Sequence, residues 1–215
     1  MVKAVIFDLD GTLLNSVEDI ADNINLMLKK FGYKERSIDE IKSFIGHGAR
    51  NLVKNSLGGC ETDARVDECL AYYNEIYTNS GSPKTRLFEG VDKMLLALKQ
   101  KGYKLAILTN KPQMTTDEVY KEYLSKYSFD KVVGQRGNVK IKPDPTVVNQ
   151  IINELGVSKE NVYFVGDGEP DAQVAINAQV NGICVLWGFR TRRQLEDAGA
   201  TVFAESPDKV IQLIG

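Results

Sequence analysis

The stretch Val2-Lys3-Ala4-Val5-Ile6-Phe7-Asp8-Leu9-Asp10-Gly11-Thr12 decides the fold. Ala4 to Phe7 is short, apolar and partly β-branched, and a glycine turn closes it, which is the pattern of a buried strand. Side chains alternate along a strand, so Asp8 and Asp10 leave its exit on the same side. Gly11 lets the backbone turn sharply there. Two carboxylates ~4 Å apart repel by roughly 4 kcal/mol at an effective dielectric of about 20. A bound cation or a shared proton offsets such repulsion. The plainer alternative is a strand that ends in two solvated turn acids.

From Ser16 the apolar period changes to three and four. Val17, Ile20, Ala21, Ile24, Met27, Leu28 and Phe31 form the inner face of an amphipathic helix, with Ser16 as its N-cap and Gly32 just past its end. Ser37 with Glu40 has the capping-box pattern for a second helix through about Phe44. Gly46-His47-Gly48 breaks it, and helices follow at about 49–57 and 62–77. The polar stretch Asn79-Ser80-Gly81-Ser82-Pro83-Lys84 reads as a linker. Beyond it, helices at about 91–101, 115–126, 145–155 and 171–180 alternate with strands at 104–108, 131–133, 162–165 and 183–187. Two further helices are expected at 191–198 and 207–214. Strands apolar throughout and alternating with helices specify a parallel sheet covered on both faces. The expectation is an α/β, Rossmann-like core made of residues 1–15 and 82–215, with an all-helical domain inserted at 16–81.

A formal net charge of −2 provides no global basic field for nucleic acid or an acidic membrane surface. Three cysteines, Cys60, Cys69 and Cys184, show no CxxC spacing, which argues against a disulfide framework or a zinc site. Only seven residues precede Asp8, and no apolar run approaches the ~20 residues of a membrane span, so a cytoplasmic protein is expected. His47 is the only histidine, so proton transfer near neutral pH falls to carboxylates or lysine.

Ligands of open parallel sheets bind outside the carboxyl ends of the strands. Here those ends hold Asp8 and Asp10, then Thr109-Asn110-Lys111-Pro112, then Gly166-Asp167-Gly168-Glu169-Pro170-Asp171, with Lys140-Ile141-Lys142-Pro143-Asp144-Pro145 between the last two. Singly, each is as well read as turn, cap or surface chemistry. Together, the acids with a hydroxyl, an amide and a lysine suit a divalent cation beside a phosphoryl group.

Asp8-Leu9-Asp10-Gly11-Thr12-Leu13-Leu14, Thr109-Asn110, Lys142-Pro143-Asp144-Pro145 and Gly166-Asp167 with Asp171 resemble the four motifs of the haloacid dehalogenase superfamily, in its order across the whole chain. The helical insert resembles the superfamily's cap placed after the first strand. Thr109-Asn110-Lys111-Pro112, Gly46-His47-Gly48-Ala49 and Trp187-Gly188-Phe189 look most like its phosphoglycolate phosphatase branch. The resemblance implies a Mg²⁺-dependent phosphatase. Asp8 is then the nucleophile, Asp10 the general acid and base, and Thr109, Asn110 and Lys142 the phosphate-binding groups. Mg²⁺ is held by Asp8, Asp10 through its backbone carbonyl, Asp167 and Asp171. Lys140 is the local competitor of Lys142.

The chain departs from the family pattern at Asn15, Gly168, Pro170 and Gln179, and none of these removes a catalytic group. Gly46, His47, Gly48 and Arg50 are the cap residues expected to meet substrate, with Arg50 as a carboxylate clamp. The expected partner is a small phosphorylated metabolite, 2-phosphoglycolate or else pyrophosphate, a sugar phosphate or a nucleotide, handled by a monomer or weak homodimer. The alternatives are a sugar-phosphate mutase, disfavoured by Thr12, a dehalogenase, disfavoured by Asp10, a receiver-type signalling domain and a non-catalytic phosphate-binding protein.

Overall fold

A computed structural model describes residues 3–137 and 139–215. Strand β1 (Ala4–Phe7) is wholly buried at the centre of a six-stranded parallel sheet. The order is β5-β4-β1-β6-β7-β8, with β4 at Lys104–Pro112, β5 at Lys131–Gln135, β6 at Val162–Gly166, β7 at Asn181–Val185 and β8 at Phe203–Ala204. The period of two in β1 divides its side chains between two cores. Val5 and Phe7 join the cluster formed with helices α5 (Val91–Gln100) and α10 (Pro207–Ile214). Ala4 and Ile6 join the one formed with α7 (Thr146–Leu155) and α8 (Glu169–Ala178). A parallel strand covered on both faces has no polar position to spare. The first acid therefore appears only where the strand ends.

The inserted helices α1 (Val17–Lys30), α2 (Ile38–Phe44), α3 (Ala49–Ser56) and α4 (Asp63–Ser80) bury a separate apolar cluster, from Ile20 and Ile24 to Val66 and Tyr77. Both crossings between insert and sheet pass through a two-stranded antiparallel ribbon, β2 (Leu14–Asn15) with β3 (Arg86–Leu87). The expected capping box is present: Ser37 accepts from the Glu40 N–H, and Glu40 accepts from the Ser37 N–H.

Several boundaries differ from the sequence reading. Ser16 precedes α1 but makes no side-chain cap, and its hydroxyl donates to Asp10 Oδ1 at 2.6 Å. β4 continues to Pro112, with a register shift after Leu108, so Thr109, Asn110 and Lys111 are extended backbone rather than loop. The helix expected at 115–126 runs as α6 (Gln113–Val119), then a π turn at Tyr120–Leu124 and a 3₁₀ turn at Ser125–Tyr127. β7 begins two residues before Ile183 and ends at Val185. The short strands β2, β3 and β8 were not expected; two residues are too few to show a period. The remaining helix, α9 (Arg192–Asp197), lies where expected.

Candidate active site

All four motif segments meet at the carboxyl edge of the sheet. Asp8 follows β1, and its N–H donates to Val165 O of β6 at 2.9 Å, which fixes the carboxylate between two strands. Asp167 and Asp171 come from the turn after β6 and the first turn of α8. One ligand oxygen from each of Asp8, Asp167 and Asp171 lies within 4.8 Å of the others, and all three residues are buried. Lys142 enters from the loop before α7. Its Nζ donates to Asp171 Oδ1 at 2.6 Å and stands 2.8 Å from Asp8 Oδ1. The second contact is an ion pair off the hydrogen-bonding direction, so Asp8 Oδ1 is buried without a hydrogen-bond partner.

The surroundings aim the acids. Thr12 Oγ1 donates to Asp167 Oδ1 at 2.9 Å, and the Phe189 N–H donates to Asp167 Oδ2 at 2.8 Å. The Gly168 N–H donates to Asp171 Oδ2 at 2.9 Å. Gly11 has φ +90°, and a Cβ there would collide with the Asp167 carboxylate. A side chain at Gly11 is thus excluded twice, by conformation and by space.

Electrostatically the cluster lacks positive charge. Burial, then repulsion from Asp171, pushes the Asp8 carboxyl up to about 8, against the pull of Lys142, with Asp167 adding to the rise. Burial and Asp171 push Asp167 up to about 7, although the Phe189 N–H and Thr12 oppose them. Three carboxylates against one ammonium leave a formal excess of two negative charges. Oxygen donors and that excess of negative charge fit one hard divalent cation.

Asp10 turns the other way. It accepts from Ser16 and from Lys111, whose Nζ lies 3.2 and 3.4 Å from its two oxygens. Lys111 also donates to Tyr77 Oη of α4 at 3.0 Å. Burial opposes its charge, but Asp10 and the hydroxyls of Tyr77 and Tyr73 outweigh it and hold the ammonium above its usual value. Asn110 joins three segments. Its Oδ1 accepts from the Lys142 N–H at 2.9 Å, and its Nδ2 donates to Lys142 O and, across to the insert, to Gly46 O. Thr109 is buried beside it and accepts from the Lys111 N–H. Above these residues α1, α3 and α4 close a cavity of about 50 Å³, whose wall includes Asp8, Asp10, Thr109 and Lys111 from the sheet and Gly46, Gly48 and Asn74 from the insert.

The family follows from this chain's likeness to known proteins. Residues 5–185 match the model of the haloacid dehalogenase-like hydrolases. The chain belongs to that family. A phosphoglycolate phosphatase of Nitrosospira multiformis is 33% identical over 99% of this chain and 96% of its own length. One from Aliivibrio fischeri is 29% identical over 95% and 92%. The crystal structure of a Lactobacillus delbrueckii subsp. bulgaricus protein, at 29% identity, superposes with a TM-score of 0.93 over 99% of this chain and 98% of that one. As a haloacid dehalogenase-like hydrolase, this chain is an enzyme, and its relatives are phosphatases. Among the described residues, no helix is long and apolar enough to cross a membrane.

Not every expected site residue reaches the cavity of this hydrolase. His47 is exposed, and Arg50 is drawn outward to Asp63 and Asp67 at 2.9 and 3.0 Å, so neither lines it. Lys140 pairs with Asp144 on the surface, which leaves Lys142 as the lysine at the acids. Lys111, Ser16, Arg190, Tyr77 and Asn74 are contributors that escaped the sequence reading. Lys111 directly follows Thr109-Asn110, and that position was its only signal.

Arg190 pins the insert down. Its Nε donates to both oxygens of Glu169, at 2.9 and 2.8 Å, and its other nitrogens donate to the carbonyls of Lys42, Ser43 and Ile45 at the end of α2. Glu169 belongs to the same turn as Asp167 and Asp171. Arg190→Ala strips partners from those carbonyls and that carboxylate, with an expected loss of about 2–4 kcal/mol in unfolding free energy. Urea denaturation reads it directly, and an unchanged midpoint contradicts the latch.

Proposed function

We propose that the chain is a Mg²⁺-dependent phosphomonoester hydrolase whose substrate is a small phosphorylated metabolite, 2-phosphoglycolate in the first instance. One observation carries the reading: buried Asp8 stands against the Lys142 ammonium, within ligand distance of Asp167 and Asp171, at the floor of a cavity closed by the insert. The names of the curated relatives support the choice of phosphoglycolate. So does the cavity's size. A single water needs roughly 10–15 Å³ on a comparable measure, so about 50 Å³ holds a group of a few atoms between the sheet and the insert.

In this reading the Asp8 carboxylate attacks phosphorus, the ester P–O bond breaks, and its electron pair stays on the departing alkoxide, which takes a proton from Asp10. Asp10 then accepts a proton from water as that water attacks the aspartyl-phosphate. The Asp8–phosphorus bond breaks, freeing phosphate and the carboxylate. Lys142 balances charge beside Asp8, and Thr109 lies next to the path of the phosphoryl oxygens. Asp8, Asp167, Asp171 and the Asp10 carbonyl would hold Mg²⁺, which supplies positive charge to carboxylates and phosphoryl oxygens alike. The helical insert, taken as residues 16–81, acts as a cap that excludes water.

The test is a panel of phosphorylated metabolites with p-nitrophenyl phosphate as a general ester. Phosphoglycolate is expected to show the highest kcat/KM, by at least about tenfold over sugar phosphates, nucleotides and pyrophosphate, the scale of one well-placed polar contact. A sugar phosphate or nucleotide at the top of the ranking overturns the substrate. Silence toward every ester overturns the reaction.

A further inference from the structure

Among the described residues, Lys111 is a buried cation lining the cavity that the proposed chemistry leaves without a task. Its side chain is 6% exposed. Its ammonium has three N–H groups. Asp10 accepts from it through both oxygens and Tyr77 through its hydroxyl, and the residue lines the cavity. The Tyr77 ring centroid is 4.4 Å from Nζ, so the ammonium is held over an aromatic face as well as by charge. One turn before Tyr77 on α4, Asn74 lines the same cavity, and its Oδ1 is buried with no hydrogen-bond partner. Buried amides are nearly always paired, so an unpaired one at a cavity wall marks a place where a ligand completes the bonding. A half-turn of the amide exchanges its oxygen for an N–H donor.

We propose that Lys111 and Asn74 form the subsite for the substrate's second charged group, a carboxylate a few atoms from the phosphoryl ester. This inference rests on the phosphatase reading above, because it assumes that the phosphoryl end lies at Asp8 and Lys142. An ammonium then stands near each end: Lys142 beside Asp8, which lines the cavity, and Lys111 at the wall, paired with Asp10 between the sheet and the insert. The rest of the wall includes Ile20, Ile45 and Leu52, which offer nothing to sugar hydroxyls. Lys111 thereby becomes a specificity-determining residue. Because Tyr77 and Asn74 come from the insert, only the closed arrangement assembles the subsite.

The decisive measurement is calorimetric and needs no turnover. In the presence of Mg²⁺, wild-type protein is titrated with 3-phosphonopropionate, which keeps the carboxylate but cannot be hydrolysed at phosphorus, and with propylphosphonate, in which a methyl group replaces the carboxylate. The carboxylate compound is expected to bind about 30-fold more tightly, the value of one charge-assisted hydrogen bond. Binding of the two within threefold overturns the subsite. Tight binding of propylphosphonate at the same time leaves the phosphatase reading standing, so the two failures are distinguishable.

Lys111→Met is expected to collapse the affinity ratio toward one, and Lys111→Arg to restore most of it. Asn74→Ala, which disturbs no ion pair, is expected to lower the ratio by about fivefold. If Lys111→Met does not fold, the wild-type ratio together with Asn74→Ala still decides. A ratio unchanged in Asn74→Ala and in any folded Lys111→Met overturns the assignment.

Discussion

Asp8→Asn is expected to abolish turnover of both p-nitrophenyl phosphate and the preferred metabolite, with a loss of about 10⁴-fold or more, because an amide oxygen is a poor nucleophile toward phosphorus. The same change should leave the fold intact. Asp8 is buried beside Asp171 and Asp167, and its carboxyl is pushed up to about 8 by burial and by those neighbours. Asparagine has nearly the same shape and no charge, so the metal-free variant is expected to melt at or above the wild-type temperature near neutral pH. That pairing separates a lost nucleophile from a damaged fold. Full activity in Asp8→Asn excludes the residue as the attacking group. A fall in both activity and melting temperature assigns it to structure instead.

Removal of divalent cations has the second large effect. EDTA is expected to silence the enzyme, and added Mg²⁺ to restore it; activity that survives exhaustive chelation contradicts the cation. Stability supplies an independent reading of the same site. In the metal-free fold Asp8 and Asp167 hold their protons up to about 8 and about 7, whereas the unfolded chain loses them near 3.8. Between those values the folded state binds more protons than the unfolded one, so stability falls as pH rises. The sign is opposite to that of a salt-bridged carboxylate. Metal-free protein is therefore expected to melt lower at about pH 8.5 than at about pH 5.5. Mg²⁺, which favours the ionised carboxylates, should raise the melting temperature more at the higher pH. Calorimetric scans at the two pH values, with and without the cation, check both signs. A larger Mg²⁺ effect at the lower pH contradicts the site.

What the sequence made legible, and what it hid, divides along physical lines. β1 could be read because a fully buried parallel strand must be apolar until it ends, so Asp8 and Asp10 stand out against Ala4–Phe7. Lys142 could be chosen over Lys140 only by its place before Pro143, and the geometry agrees, since Lys142 Nζ reaches both Asp8 and Asp171. Arg190 could not be read at all. One partner, Glu169, lies 21 residues away, but the carbonyls of Lys42, Ser43 and Ile45 lie 145 to 148 residues away along the chain, and carbonyl acceptors leave no trace in a sequence. Arg50 failed for a related reason: the exposed Asp63 and Asp67 one helix away compete for it, and pattern alone does not rank competing partners. Lys111 stands in the Thr109-Asn110-Lys111-Pro112 stretch, yet its pairing with Asp10 depends on β4 continuing, past a register shift, beyond Leu108 to Pro112.

The β2–β3 ribbon has a consequence for how such a chain can be rearranged. Asn15 and Arg86 are direct antiparallel partners, so the two points where the chain leaves and re-enters the sheet are neighbours in space. Paired strands of this kind can be joined by a two-residue hairpin turn. The insert is thus a detour with a common entrance and exit, and a chain spliced from Asn15 to Arg86 retains every sheet contact described above. Such an excision leaves Asp8, Asp10, Thr109, Lys142, Asp167 and Asp171 in place and discards Tyr77, Asn74 and Gly46. In covalent terms the acids at the sheet edge and the helices that cover them are separable parts, joined at one seam.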